Sequence, residues 1–321
     1  MTKKQNNKWQ PNTVHALFEK PFLELLFQAH TVHLKHFPNP EIQLSTLINL
    51  KQGGCPEDCG YCSQSGHHKT KTENTPFLTQ DKILEKATKA KSQGATRFCM
   101  GAAWRSPPKK NWPDVLQTIQ KIKALGLETC VTLGMIDHNQ AKELKSAGLD
   151  YYNHNLDTSE NYYAKIISTR TYQDRLNTLS AIQEAGLKTC CGAILGMGES
   201  RQDRIDLLCT LSNLPHIPES IPFNRLIKTP GTPLENTADL DNFEFIRTLA
   251  IARILIPKAM IRLSAGRETM SDEMQAWCYF AGANSIFVGQ TLLTQPNLSR
   301  EHDMMLLQKL GLKPILLPLE N

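Results

Sequence analysis

The chain of 321 residues has no long apolar segment, and this absence excludes a broad class of protein. No run approaches the roughly 18 consecutive apolar residues that a membrane-spanning helix needs. The first residues are polar and no apolar stretch follows them, so no secretory signal is predicted. We therefore expect a cytoplasmic protein without a membrane partner, in which clustered cysteines serve metal or redox chemistry rather than disulfides.

Concentrated positive charge and a dinucleotide-binding glycine pattern are also missing. The net charge is only +5 and the basic residues are scattered, so no nucleic-acid partner is predicted. The pattern Gly-x-Gly-x-x-Gly does not follow the first predicted strand, because Gly53 and Gly54 run directly into cysteines. A doubly wound open sheet is therefore the weaker of two fold predictions.

Cysteine is the residue type whose arrangement carries the most information. Cys55, Cys59 and Cys62 form a C-x3-C-x2-C motif directly after an apolar, strand-like segment. Soft thiolates this close in sequence favour an iron–sulfur cluster or zinc. Three ligands leave one metal position open, which is typical of a reactive centre. The alternative is a structural zinc site whose fourth ligand is His67, His68 or a distant cysteine.

An amphipathic helix, a glycine and a short strand recur along the rest of the chain. A glycine just past a helix end lets the backbone turn back into the next strand. Together with the segments 41–51, 220–226 and 259–265, these units give eight strands alternating with helices. The pattern predicts an α/β fold, a parallel (β/α)8 barrel of the TIM type, either closed or open on one side.

The same pattern predicts three regions. Residues 1–40 would form a tail, over 1–12, and an N-terminal helical extension packed on the barrel. Residues 41–295 would form the barrel, and residues 296–321 a C-terminal helix and tail.

Side chains alternate along a strand, so an unusual face can be recognised. Around residue 262, Ile261, Leu263 and Ala265 would face the helices, which turns Arg262 and Ser264 into the barrel. A buried arginine without a partner is costly, so an anionic group is expected opposite it.

A polar face is predicted on the strand that begins at residue 151. Asn153, Asn155 and Asp157 share it and would need a polar ligand inside a barrel. His154 and Leu156 share the other face, and His154 is interpreted as an outer-layer histidine hydrogen-bonded to the backbone.

Single cysteines recur on neighbouring predicted strands at Cys99, Cys130 and the pair Cys190–Cys191. A lone buried cysteine is ordinary. Three of them beside an inward Arg262 favour a second metal site. Cys190 is the predicted ligand, because the residues on its face are smaller and leave more space.

With these residues assembled, the chain resembles the biotin synthases, a family of the radical S-adenosylmethionine (radical SAM) superfamily. The resemblance extends from about residue 17 to residue 314. The segments that carry it are 55–65, 97–104, 151–159, 192–199, 230–234 and 262–267.

The resemblance implies two clusters. Cys55, Cys59 and Cys62 would hold a [4Fe–4S] cluster whose fourth iron binds SAM. A [2Fe–2S] cluster would have four further ligands, namely Cys99, Cys130, Cys190 and Arg262. The residues implied in catalysis are the three loop cysteines and Arg262.

The resemblance also implies the small-molecule contacts. Tyr61, Ile194 and Ile227 would border the adenine of SAM, and Asn155 and Asp157 would bind its ribose. Arg175 would meet the methionyl carboxylate and Ala102 would lie near the amino group. The residues implied in contact with dethiobiotin are Asn153 and Asn224. Two departures from the family pattern, Gln295 and the pair His67–His68, concern substrate contacts only.

The implied activity is the conversion of dethiobiotin to biotin. SAM would be cleaved to a 5′-deoxyadenosyl radical, and the [2Fe–2S] cluster would donate sulfur. The implied partners are an electron donor such as flavodoxin or ferredoxin, the iron–sulfur assembly machinery and a second copy in a homodimer. The alternatives are another radical SAM barrel enzyme, such as a hydrogenase maturase, and a non-catalytic protein that binds a metal cluster.

Overall fold

Parallel strands form a closed barrel in the computed structural model, which describes residues 9–316. The strands of the barrel sheet are β1 (Glu41–Lys51), β2 (Arg97–Ala102), β3 (Glu128–Thr132), β4 (Tyr151–Asn153), β5 (Lys188–Cys190), β6 (Ala193–Leu195), β7 (Ser220–Arg225), β8 (Met260–Leu263) and β9 (Ser285–Phe287). They run in the order β1-β2-β3-β4-β5-β7-β8-β9, β6 pairs with β7, and β9 pairs with β1. The predicted (β/α)8 fold is confirmed, and the version open on one side is wrong.

Helices cover the outside of this barrel. Their bounds are α1 (Pro11–Phe18), α2 (Phe22–His36), α3 (Gln80–Ser92), α4 (Trp112–Ala124), α5 (His138–Ser146), α6 (Glu160–Tyr163), α7 (Tyr172–Glu184), α8 (Arg201–Asn213), α9 (Asn242–Leu255), α10 (Asp272–Phe280) and α11 (Arg300–Lys309). The N-terminal extension docks on the outer layer, with α2 along α9 and α1 against α8. Within residues 9–316, no helix combines the length and the apolar character needed to cross a membrane.

The predicted N-terminal tail ends earlier than expected. Helix α1 begins at Pro11, and the main-chain N–H of Trp9 donates to Asn213 Oδ1 at 2.9 Å. The Asn213 amide returns a hydrogen bond to the Trp9 carbonyl at 2.7 Å, which anchors this segment to α8. The rest of the predicted tail, residues 1–8, lies outside the described residues.

The predicted helix-to-strand junctions are confirmed as left-handed turns. All five glycines placed there have positive φ, between 71° and 111°, a region that costs other residues more. They are Gly94, Gly126, Gly148, Gly186 and Gly282. Each turn reverses the chain tightly, and α4 and α7 pack on the strands that follow them, β3 and β5.

Gly192 interrupts the fifth strand and permits close approach of the backbone of β7. A Cβ at this position would lie 2.0 Å from the Pro222 carbonyl oxygen, so Gly192→Ala must displace one strand. We expect this substitution to lower the free energy of unfolding by about 3 kcal/mol, measured by chemical denaturation. Gly186→Ala is the matched control, since nothing lies within 4 Å of its Cβ and only its φ of +71° is unfavourable, worth about 1 kcal/mol. Equal losses in the two variants would contradict this account.

Two short pairings complete the fold at the ends of the barrel. Strands β10 (Thr291–Leu292) and β11 (Gln295–Pro296) form an antiparallel hairpin after β9. The C-terminal segment follows α11 and adds β12 (Lys313–Pro314), which pairs in parallel with the start of β1. Residues 317–321, the end of the predicted C-terminal tail, lie outside the described residues.

Candidate active site

A cavity of about 330 Å³ lies inside the barrel and opens at the carboxyl ends of the strands. All sixteen site residues expected from the sequence line it. These are Cys55, Cys59, Tyr61, Cys62, Cys99, Ala102, Cys130, Asn153, Asn155, Asp157, Arg175, Cys190, Ile194, Asn224, Ile227 and Arg262. Their individual roles remain predictions, but the fold brings them together in one place.

The cysteine loop is held to a neighbouring loop by two acidic residues that stand between its first two cysteines. Glu57 is buried and accepts hydrogen bonds from Arg105, at 3.0 Å, and from the Thr169 hydroxyl. Asp58 accepts the main-chain N–H of Ser168 at 3.0 Å, and these hydrogen bonds draw its pKa below its usual range against the opposing effect of burial. The loop conformation is therefore fixed by contacts with residues 48 to 112 positions away in the sequence.

His67 and His68, the two histidines after the cysteine loop, hydrogen-bond to its backbone. The His67 ring lies with Nε2 3.0 Å from the Pro56 carbonyl oxygen, and His68 Nε2 lies 3.0 Å from the Cys59 carbonyl oxygen. Both Nε2 atoms are thus used for holding the loop. Within residues 9–316, no group of three or more His, Cys, Asp or Glu side chains is arranged to hold a single metal ion.

Asp157 is the centre of the polar wall of the cavity. Its Oδ2 accepts from the Tyr61 hydroxyl at 2.7 Å and from Arg175 Nη2 at 2.6 Å. Asp157 has a φ of +67°, in the left-handed region of backbone conformation. Residues other than glycine seldom adopt this conformation, and those that do are often found at functional sites. Arg175 also donates to the Tyr163 hydroxyl at 2.9 Å, so its guanidinium is held rigidly at the cavity edge.

Removing the charge of Asp157 would leave Arg175 buried without a counter-ion. The two side chains are only 2% and 5% exposed, so we expect Asp157→Asn to lower the free energy of unfolding by about 3 kcal/mol. Glu19→Gln breaks the ion pair of Glu19 with Arg201 at the surface, where the side chains are 55% and 41% exposed, and should cost less than about 1 kcal/mol. Denaturant titration of both variants gives the comparison. A loss in Asp157→Asn as small as that of the surface variant would rule out a tight buried pair.

Three thiols lie together within the strands, farther from the open end. Cys99 and Cys130 are cross-strand partners in the β2–β3 register, and Cys190 ends β5. The Cys130 thiol donates a hydrogen bond to Cys190, which lowers the pKa of Cys190 to about 5 and raises that of Cys130 well above its usual value. Asn153 Nδ2 also donates to Cys190 Sγ at 3.3 Å. Cys191 points away and packs in the main hydrophobic core.

Arg262 faces these thiols and has no carboxylate partner within the described part of the chain. Its Nη2 donates to the Ser45 hydroxyl and its Nε to the Ser285 hydroxyl, each at 3.0 Å. The anionic partner expected from the sequence is therefore the thiol set itself, because Arg262 helps to lower the pKa of Cys190 after the larger effect of Cys130. Buried positive charge and buried thiolate stabilise each other.

Two details of the strand interpretation are wrong. Ala265 lines the cavity instead of facing the helices, because β8 ends at Leu263 and the alternation of faces ends with it. His154 lacks the expected ring-to-backbone hydrogen bond at Nε2, which has no partner in the described residues. Burial, followed by the nearby Arg175 and Arg170, lowers the pKa of His154 well below its usual value, so the ring is neutral.

Sequence reasoning missed three charged residues that line the cavity, Glu57, Arg170 and Arg225, and a fourth, Arg97, that points inward but is not among the lining residues. Arg97 shares the inward face of β2 with Cys99, and its guanidinium lies 3.7 Å above the centre of the Tyr151 ring. The alternation of side chains along β2 could have indicated this, because Arg97 and Cys99 are two residues apart and share one face of the strand. Arg170 and Glu57 lie on loops, where no periodicity indicates which side chains face inward.

The β10–β11 hairpin covers the open end of the cavity. Ser63 of the cysteine loop and Thr294 of the hairpin share a hydroxyl hydrogen bond of 2.7 Å. Gln295, one of the two departures from the family pattern, donates from Nε2 to the Thr229 hydroxyl at 3.0 Å and lines the cavity. Gln295 thus links the hairpin to the loop that contains Thr229, at the open end of the cavity.

Both thiol sets fit iron–sulfur clusters in the chemistry of their donors. The loop offers three sulfur atoms to one cavity, and burial raises the pKa of Cys62 to about 12, so metal binding there must displace a proton. The inner set offers three sulfur atoms in an apolar surround that includes Phe287 and Leu292. Soft sulfur ligands are those that iron–sulfur clusters use.

Comparison with known proteins agrees with this geometry. The model of the radical SAM superfamily matches residues 50–210, and the model of the biotin and thiamin synthesis associated domain matches residues 222–313. The first match contains the cysteine loop and strands β2 to β6, and the second begins in β7. Together with the closed barrel, these matches identify an enzyme of the radical SAM class, for which a [4Fe–4S] cluster and SAM are implied.

Sequence relatives define the family within that class. A biotin synthase of Coxiella burnetii is 59% identical over 313 residues, covering 97% of this chain and 98% of the relative. A biotin synthase of Hahella chejuensis is 57% identical over 306 residues, covering 95% of this chain and 86% of the relative. The chain belongs to the biotin synthase family, and it is accordingly an enzyme of radical sulfur insertion.

Solved structures share the fold at low sequence identity. Methylornithine synthase superposes with a TM-score of 0.81 at 19% identity, covering 97% of this chain and 95% of that one. The FeFe-hydrogenase maturase of Carboxydothermus hydrogenoformans gives a TM-score of 0.81 at 16% identity, covering 96% and 76%. At such low identity, these similarities show the fold alone.

Proposed function

We propose that the chain converts dethiobiotin to biotin, with a [4Fe–4S] cluster on Cys55, Cys59 and Cys62 and a [2Fe–2S] cluster as the sulfur donor. The observation that carries the proposal is that two separate thiol sets line one cavity. When bound, the first cluster supplies the electron that cleaves SAM, and the second supplies the sulfur that is inserted. An enzyme that only generated the radical would have no use for the inner set with Arg262.

The residues between the cysteine loop and the inner thiols support the proposed arrangement, in which SAM lies next to the loop and dethiobiotin lies between SAM and the inner thiols. Asp157 places a carboxylate next to the cysteine loop and Asn155 lines the same cavity, where the ribose of SAM would bind; Tyr61 would offer a flat aromatic ring and Ile194 an aliphatic surface to the adenine. Asn153 bonds both to Asn155, at 3.1 Å, and to Cys190 Sγ, at 3.3 Å. It therefore connects the proposed SAM site with the proposed sulfur donor, where dethiobiotin and Asn224 would meet.

The chain contributes positioning and exclusion of water, while the cofactors carry the radical chemistry. Arg175 would hold the methionyl carboxylate, and Ile227 and Ala102 would border SAM on the other sides. The hairpin would close the barrel over the reactants and keep dissolved hydrogen donors, such as thiols, away from the radical.

Anaerobic reconstitution with iron and sulfide tests the proposal. We expect two clusters per chain, with [4Fe–4S] and [2Fe–2S] absorbance, and an EPR signal from the first cluster on reduction. Reconstitution with isotopically labelled sulfide should then give labelled biotin from dethiobiotin and SAM. One cluster per chain, bound zinc, or unlabelled biotin from a labelled cluster would each show the proposal to be wrong.

The remaining expectations belong to the same proposal. The enzyme would work in the cytoplasm as a homodimer, receive electrons from a flavodoxin or ferredoxin and regain its clusters from the iron–sulfur assembly machinery. Residues 41–295 would be the catalytic barrel, flanked by the extensions 1–40 and 296–321.

A further inference from the structure

Arg170 is a buried cation next to the cysteine loop. The proposed function assigns no role to it. Its side chain is 8% exposed and lines the cavity. Its Nη2 donates to Cys59 Sγ at 3.6 Å, an acceptable distance for a hydrogen bond to sulfur. Within the described residues, it is the arginine with a hydrogen bond to a thiol of the C-x3-C-x2-C motif.

The charge of Arg170 is less compensated than that of its neighbours. Arg175 has Asp157 at 2.6 Å, whereas the closest approach of Arg170 to Glu57 is 3.8 Å, from Nε. That Nε has no hydrogen-bond partner in the described part of the chain. Glu57 is also shared with Arg105, which approaches it to 3.0 Å. Within the described residues, the hydrogen bond to Cys59 Sγ is therefore the one that the Arg170 side chain makes.

A cation and an N–H donor at a ligand sulfur change the energy of electron uptake. The reduced cluster carries one more negative charge than the oxidised cluster, so both interactions stabilise the reduced state more. Hydrogen bonds to the sulfurs and net charge are among the main determinants of cluster reduction potential. Burial strengthens the effect, because water screens the charge poorly there.

We propose that Arg170 is a positioning residue that raises the reduction potential of the cluster bound by Cys59 and so makes electron entry easier. The inference rests on the proposed ligation of a [4Fe–4S] cluster by the loop. It assigns to Arg170 a role in electron acceptance that is separate from binding SAM.

An EPR-monitored redox titration of reconstituted protein tests this role. In Arg170→Gln, we expect the ratio of oxidised to reduced cluster at a fixed potential to rise about tenfold, which corresponds to 59 mV for one electron. In Arg170→Lys, the charge stays but the Nη2–sulfur hydrogen bond is lost, so a smaller shift of about threefold is expected. Arg201→Gln is the control, since Arg201 pairs with Glu19 and Glu244 away from the cavity, is 41% exposed and donates to no thiol; its ratio should equal that of the unmodified protein.

The possible results distinguish a failure of the Arg170 proposal from a failure of the proposed function. Failure of the unmodified protein to form a [4Fe–4S] cluster would reject the proposed function itself. A cluster that forms in every variant with one common potential would overturn the role of Arg170. If Arg170→Gln binds no iron, Arg170→Lys decides the matter, and an unshifted potential there would count against the proposal.

Discussion

Cys59→Ala is expected to reduce reductive cleavage of SAM by at least about 1,000-fold, equivalent to about 4 kcal/mol of activation free energy. Cys59 is the middle ligand of the proposed cluster, is 5% exposed and accepts the hydrogen bond of Arg170. Alanine offers no metal ligand. Within the described residues, the loop has no fourth cysteine that could replace Cys59. Formation of 5′-deoxyadenosine from SAM under reducing conditions measures the loss.

Cys209→Ala is the control for this experiment. Cys209 is also buried but lies on α8, outside the cavity, so its removal should leave SAM cleavage within about twofold of the unmodified rate. Iron content should fall by one cluster in Cys59→Ala alone. Unchanged 5′-deoxyadenosine formation in Cys59→Ala would refute the assignment of the loop.

Cys190→Ala is expected to separate the two halves of the reaction. The substitution removes a ligand of the proposed sulfur donor but leaves the cysteine loop intact, so biotin formation should fall by at least about 1,000-fold. Cleavage of SAM should stay within about threefold of normal, because Asp157 and Arg175 are untouched. Mass spectrometry of biotin and 5′-deoxyadenosine from one reaction gives both quantities.

The adjacent thiol provides the control for that variant. Cys191→Ala removes the same atoms one residue farther along, but Cys191 packs in the core and not in the cavity. It should cost about 1 kcal/mol of stability and retain biotin formation. Equal loss of biotin in the two variants would mean that packing around residue 190, rather than ligation, explains the effect.

The fold could be predicted because its signals are local. A helix that ends at glycine and a short β-rich strand define each unit, and the φ values of Gly94 and Gly148 show the expected turns. Alternation within strands likewise placed Arg262 inside the barrel, since the side-chain period of a strand does not depend on distant contacts.

The site was less predictable wherever regular structure ends. Ala265 lies two residues past β8, so the strand period no longer specifies its direction. Arg170 reaches Cys59 from 111 positions away through an irregular loop, and neither loop has a pattern that indicates the contact. Loops at the carboxyl ends of barrel strands carry much of the chemistry of such folds, so these omissions fall where they matter most.

The pairing of β1 with β9 has a consequence for how the enzyme is made. The partners are more than 200 residues apart, with Gln43 opposite Ser285, so the barrel cannot close until nearly the whole chain has left the ribosome. The cysteine loop emerges early and would wait, exposed, for the strands that complete its surroundings. Closure through contacts so distant in sequence is slow, so the three thiols of the loop would stay accessible during much of folding.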